Sequence, residues 1–127
     1  MSKQNIIILV VGAVLLGSYW LYGKFPQGAQ QDELIQVIQG GAQLVDVRTV
    51  EEYQSGHIDG SVNIPLNELE NRLGELAGKN DNIVVFCYSG GRASQAKKTL
   101  NGLGYNKVYN GGGWESLKRL IQGLNTK

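Results

Sequence analysis

The sequence is poor in the residues that build disulfides and metal centres. It has one cysteine, Cys87, and one histidine, His57. A lone cysteine excludes an intramolecular disulfide and any multi-thiolate metal site. With a single histidine, a zinc site would need carboxylates for most of its ligands, so no metal and no cofactor is expected. A basic block is also missing. Twelve Lys and Arg face eleven Asp and Glu, and that spread gives no electrostatic footprint for nucleic acid. At 127 residues the chain is long enough for one domain and too short for two. Glycine, by contrast, is abundant. The eighteen glycines sit at segment ends and not in a repeat, which reads as turns and caps.

The N-terminal part has one long apolar run. Residues 6–22 (IIILVVGAVLLGSYWLY) are apolar apart from Gly and Ser, about the shortest length that spans a bilayer. Tyr19, Trp20 and Tyr22 close the run, where an aromatic belt would sit. It is read as an uncleaved, single-pass membrane anchor within residues 1–23. The alternative is a signal peptide, for which Gly28-Ala29-Gln30 offers a poor cleavage site; cleavage would leave a soluble periplasmic protein. Lys3 and the terminal amine on one side outweigh Lys24 on the other by about one charge, favouring a cytoplasmic N-terminus. The folded part would then be extracytoplasmic. Residues 24–30 read as a linker and 31–127 as the domain.

From there the chain alternates between two kinds of segment. Residues 32–39 have Leu34, Val37 and Ile38 on one helical face. Residues 43–47 (QLVDV) and 61–64 read as strands, the second ended by Pro65. Asn67 with Glu70 resembles a capping box. It would open a helix with Leu66, Leu69, Leu73 and Leu76 in one stripe. Residues 82–86 (NIVVF) form a continuous apolar strand, the pattern of burial on both faces. Residues 92–103 predict a helix with Ala93, Ala96, Leu100 and Leu103 inward. Residues 107–109 predict a strand, and 114–122 a helix with Trp114, Leu117, Leu120 and Ile121 inward. Together these predict an α/β domain: a central parallel sheet with helices on both faces, preceded by one transmembrane helix.

The chemistry concentrates where the apolar strand ends. Cys87-Tyr88-Ser89-Gly90-Gly91-Arg92 joins that strand to the next helix, and the carboxyl ends of strands are where open α/β sheets bind ligands. Two glycines allow a tight curl. A curled loop entering a helix turns its N–H groups inward as an anion cradle. With the helix dipole and Arg92, this should lower the pKa of Cys87 and make its thiolate a nucleophile. A plain buried cysteine would leave Arg92 and the paired glycines unexplained.

At this loop the sequence resembles the rhodanese family, whose active loop has the form Cys-x-Ser-Gly-x-Arg. Cys87, Ser89, Gly90 and Arg92 fit it. A second signature lies upstream in Leu44-Val45-Asp46-Val47-Arg48, Glu51-Glu52-Tyr53, Gly56-His57-Ile58, Gly60 and Asn63-Ile64-Pro65. A third is the GLGY of 102–105 with the glycines before Trp114. The resemblance covers about residues 31–123, and the narrower likeness is to small phage-shock-type rhodaneses of bacterial envelopes. It implies a rhodanese-like fold and a sulfurtransferase that takes sulfur from a small anionic donor such as thiosulfate. Cys87 would carry the sulfur as a persulfide and pass it to a thiol or cyanide. Tyr88, Ser89, Gly90, Gly91 and Arg92 would bind substrate, Arg92 by holding the donor's oxyanion. Ala93 stands where many members have Ser, and Tyr88 and Gly91 replace positions that are often basic. The weaker positive charge reduces the expected preference for thiosulfate.

The remaining polar residues invite quieter readings. His57 is expected to brace a turn. Asp46 and Arg48 would support the site or form a structural ion pair. Trp114 would wall the pocket or anchor the last helix. Two rival functions stay open. One is a non-catalytic module that binds a persulfide or docks a partner, although an intact Cys87 favours catalysis. The other is a phosphatase or arsenate reductase, disfavoured because only four residues separate Cys87 from Arg92.

Overall fold

The computed structural model describes residues 27–126. The chain divides into two units, Met1–Glu33 and Leu34–Lys127. The described part of the first is the opening of a helix; the second holds the sheet. The apolar segment 6–22 lies outside the described residues, as does the start of the expected linker. Among the described residues no helix is long and apolar enough to cross a membrane.

The elements run α1 (Gln27–Gln39), β1 (Gln43–Asp46), α2 (Val50–Gln54), β2 (Val62–Asn63), β3 (Ile83–Cys87), α3 (Gly91–Gly102), β4 (Val108–Gly113) and α4 (Trp114–Asn125). Two 3-10 turns, Leu66–Asn71 and Leu73–Glu75, separate β2 from β3. The four strands form one parallel sheet in the order β2-β1-β3-β4.

β3 organises the core. All five of its residues are buried, and successive side chains of a strand leave on opposite faces. Ile83, Val85 and Cys87 meet Ala93, Ala96 and Leu100 of α3, together with Leu69. Val84 and Phe86 join Ile58 and Leu117 on the other face, flanked by Leu34, Val37 and Ile38 of α1 and by Leu120 and Ile121 of α4. One short apolar strand thus feeds two cores, and helices cover both faces of the sheet. Truncating Phe86, which is fully buried, would cost about 3–5 kcal/mol.

Several local expectations are corrected. The leucine stripe does not lie on an α-helix. Pro65 occupies the N-cap with no side-chain cap bond, so the Asn67–Glu70 box does not form. Arg72, at φ −125 and ψ 28, interrupts the segment. Three residues per turn still keep Leu66 and Leu69 on one side. Leu69 is fully buried, with Leu66, Leu73 and Leu76 packed around the same core. Gln43 then ties the end of this segment to β1, donating to the Glu75 carbonyl at 2.9 Å and accepting from the Ala77 N–H at 2.7 Å. The capping box forms instead at Thr49 and Glu52, opening α2, a helix the hydrophobic pattern did not reveal. α1 begins at Gln27, ahead of the expected start at Asp32, and takes in part of the expected linker. Leu103, expected inward, is exposed beyond the end of α3. β4 continues past Tyr109 through the glycines, because they pair with the end of β3.

Candidate active site

Cys87 is the last residue of β3, at the carboxyl edge of the sheet. Its sulfur receives the Gly90 N–H at 3.0 Å and the Ala93 N–H at 3.4 Å. This curl requires Gly90 to adopt φ +101, left-handed backbone that other residues enter only with strain. Gly91 does not use a positive φ; it opens α3. The sulfur therefore faces the positive end of a twelve-residue helix.

Two opposing influences act on the thiol. Burial is the largest single one and pushes the Cys87 pKa up. Hydrogen bonds from the backbone N–H groups of Ala93, Ser89, Gly90 and Arg92 together outweigh it, and the thiol ends below its ordinary value. Cys87 itself is 1% exposed, so the sulfur lies at the floor of the loop. The Tyr88 side chain stands outward, 66% exposed, and Ser89 is exposed as well.

Neighbours on two sides hold the loop through contacts the sequence did not announce, and a third group, which it did name, braces α2. On the β4 side, a bulge sets Val85 opposite Asn110 and Cys87 opposite Gly113. The Asn110 side-chain amide donates to the Gly90 carbonyl at 3.1 Å, and its oxygen accepts from the Gly112 N–H at 2.8 Å. Gly113 must be glycine, because a Cβ there would lie 2.7 Å from the Tyr88 carbonyl oxygen. On the α2 side, Arg92 donates to both carboxylate oxygens of Glu52, at 2.7 and 3.0 Å. The guanidinium fork expected to hold a donor anion is closed on a carboxylate. Arg92 holds the Glu52 carboxyl at about 2; burial opposes this, while the backbone and hydroxyl of Thr49 assist. The Glu52 hydrogen bond in turn raises Arg92. Beyond the pair, Arg92 borders an open groove of about 570 Å³ with Val47, Thr49, Pro65, Leu66 and Gln95.

The third neighbour is a buried brace beside the loop. Asp46 is 0% and Arg48 2% exposed, and they meet at 2.7 Å. Asp46 also accepts from the Arg48 backbone N–H at 3.0 Å. Arg48 donates onward to the carbonyls of Gly56 and Glu52, and its guanidinium lies 4.4 Å from the centre of the Trp114 ring. Asp46, Arg48 and Trp114 are thus brought together, with the charged pair satisfied internally. His57 contacts the Tyr53 carbonyl at 3.0 Å through Nδ1 and stacks on the Tyr53 ring at 4.0 Å between centroids. It braces its turn.

The Thr49-x-x-Glu52 spacing was a readable signal for α2. The forty-residue reach from Glu52 to Arg92 and the Asn110 contact had no local signature. As built, the loop is a cradle of N–H donors around one sulfur, closed by α3.

Comparison with known proteins agrees with this geometry. The rhodanese-like domain family matches residues 30–120. The chain is 40% identical over 74 residues to the thiosulfate sulfurtransferase PspE of Escherichia coli, covering 58% of this chain and 71% of that one. It is 41% identical over 86 residues to the putative sulfur carrier protein YrkF of Bacillus subtilis, spanning 68% of this chain and 42% of the relative. The solved structure of the human single-domain sulfurtransferase TSTD1 superposes with a TM-score of 0.61 at 33% identity, covering 72% of this chain and 92% of that one.

Proposed function

The chain belongs to the rhodanese-like domain family, and from that premise we infer that it is a sulfurtransferase working through a persulfide on Cys87. The observation that carries the reading is the chain's single thiol, at the floor of a loop whose N–H groups converge on it. The Cys87 thiolate attacks the outer, sulfane sulfur of a donor. With thiosulfate, the S–S bond breaks and sulfite leaves with the bonding pair. The transferred sulfur stays on Cys87, where the N–H groups of Ser89, Gly90, Arg92 and Ala93 offset its charge. A thiol or cyanide then attacks that sulfur and regenerates the thiolate, a double displacement through a covalent intermediate. With no second cysteine in the chain, the acceptor is external. Treatment with a sulfane donor should add one sulfur atom to the intact protein by mass spectrometry. Cys87→Ser, nearly isosteric, should stay folded and gain none. Sulfur transfer persisting in that variant would overturn the mechanism.

The reading extends to the cell membrane. Residues 6–22 anchor the chain as a single span, with the domain on the extracytoplasmic side. The apolar length, the closing aromatics and the charge on Lys3 support this. Full-length protein should stay with membranes through a high-salt wash. An N-terminus near Gln30 in protein taken from cells would establish a cleaved signal instead.

A further inference from the structure

We propose that Glu52 determines which donors the site accepts. By closing on Arg92, it turns the cradle from dianions such as thiosulfate towards thiol persulfides with an uncharged tail. The inference rests on the sulfurtransferase reading and specifies its substrate class.

Charge at the rim of the loop sets the preference. Between Cys87 and Arg92 the loop contributes Tyr88, Ser89, Gly90 and Gly91, none of them cationic. Arg92 is the loop's one cation, and Glu52 takes it with two hydrogen bonds. The carboxylate is itself fixed in place, since its Oε1 also accepts from the Thr49 N–H at 3.2 Å and the Thr49 hydroxyl at 3.1 Å. The nearby Arg48 is spent on Asp46 and nearly inaccessible. The groove that Arg92 borders adds only uncharged residues, Val47, Thr49, Leu66, Asn67 and Gln95 among them, apart from Glu70. A sulfonate brought here loses water and meets a neutralised arginine and two carboxylates, a poor exchange for a dianion. The backbone donors around the sulfur serve one small anionic atom and do not depend on the tail.

A thiol persulfide avoids that cost. The Cys87 thiolate attacks the terminal sulfur of R–S–SH, and the S–S bond breaks. R–S⁻ departs with the bonding pair, and the proton stays on the transferred sulfur as Cys87–S–SH. Atoms and charge balance with no further reactant.

The test is the rate of Cys87 persulfide loading, followed by intact mass spectrometry on the full chain. The donors are thiosulfate and 2-hydroxyethyl persulfide, and the proteins are wild type and Glu52→Gln. Gln is accepted at the same position of a capping box, so α2 is retained while the neutralising charge is removed. Wild type should load from the persulfide roughly tenfold or more faster than from thiosulfate at equal concentration, equivalent to ~1.4 kcal/mol. Glu52→Gln should raise thiosulfate loading roughly tenfold, mainly through KM, and leave persulfide loading little changed. That gain should shrink with added salt and vanish in Glu52→Gln/Arg92→Gln. A thiosulfate-to-persulfide ratio equal in wild type and Glu52→Gln would overturn the role of Glu52 while leaving the sulfurtransferase reading intact. Failure of both donors to load wild-type Cys87 would overturn both.

Discussion

Two arginine–carboxylate pairs flank the reactive loop, and they differ in almost everything but chemistry. Asp46–Arg48 is two residues apart in sequence, 0% and 2% exposed, and bonded throughout to backbone. Glu52–Arg92 is forty residues apart, about a third exposed, and joins a capping helix to the helix behind the cradle. The inner pair has no access to solvent and no free lone pair to offer a ligand; it can only hold β1, the 56–57 turn and Trp114 in register. The outer pair is partly open to solvent and can exchange partners. Under the proposal above, similar functional groups serve architecture in one place and selectivity in the other, and burial separates the two roles.

The largest effect in this comparison should come from breaking the inner pair. Asp46→Ala leaves the Arg48 guanidinium buried with its main acceptor gone, and an uncompensated buried charge costs about 3–5 kcal/mol. Urea unfolding of Asp46→Ala against wild type measures this directly. A loss below about 1 kcal/mol would mean that the two pairs are energetically alike and that burial does not divide them.

The sequence disclosed these regions unevenly. β3 could be read at once from NIVVF at 82–86, because a continuous apolar run is buried on both faces and only a central strand tolerates that. Cys87, Gly90 and Arg92 were legible as a loop because their chemistry is local: a thiol, a residue free to turn left-handed, and a helix start. The leucine stripe gave the right buried side but the wrong helix, since 3-10 and α-helical turns share short-range spacing and Pro65 decided between them. α2 escaped because its signal was polar, a Thr-x-x-Glu box with no apolar periodicity. The Glu52–Arg92 and Asn110–Gly90 contacts escaped for a different reason. Both join segments that meet only after the sheet has assembled, and nothing near Arg92 or Gly90 announces the partner.

Asn110 supplies an uncharged contrast to both pairs. Its amide donates to the Gly90 carbonyl, while the Gly90 N–H points at the sulfur. Asn110→Ala should cost about 0.5–1.5 kcal/mol, the worth of one ordinary hydrogen bond. It should also let Gly90 leave its left-handed conformation part of the time. The thiolate would lose a donor in those states, so the Cys87 pKa should rise towards its ordinary value. The pH dependence of alkylation by iodoacetamide reads this shift. An unchanged profile would mean that the Ser94 N–H, which donates to the same carbonyl at 2.9 Å, holds Gly90 unaided.

The smallest effect should come from the outer pair's contribution to stability. Glu52 titrates at about 2 in the folded protein, lowered chiefly by its hydrogen bonds to Arg92, against about 4.3 for a free side chain. A depressed carboxyl binds its proton more weakly when folded. Its stabilisation is therefore complete above the unfolded value and disappears as pH falls through about 2. The pair is partly exposed, and solvent screens it, so the contribution at neutral pH should stay below about 1 kcal/mol. Glu52→Gln removes this group and little else. The gap in unfolding free energy between wild type and Glu52→Gln should thus be small and constant above about pH 5, narrow between there and about pH 2, and shrink in high salt. Following that gap by urea unfolding across the acid range isolates Glu52, because the other carboxyls titrate equally in both proteins. A gap that rivals the Asp46→Ala loss, or one that survives below pH 2, would assign the outer pair an architectural role and remove the ground for treating it as a selectivity element.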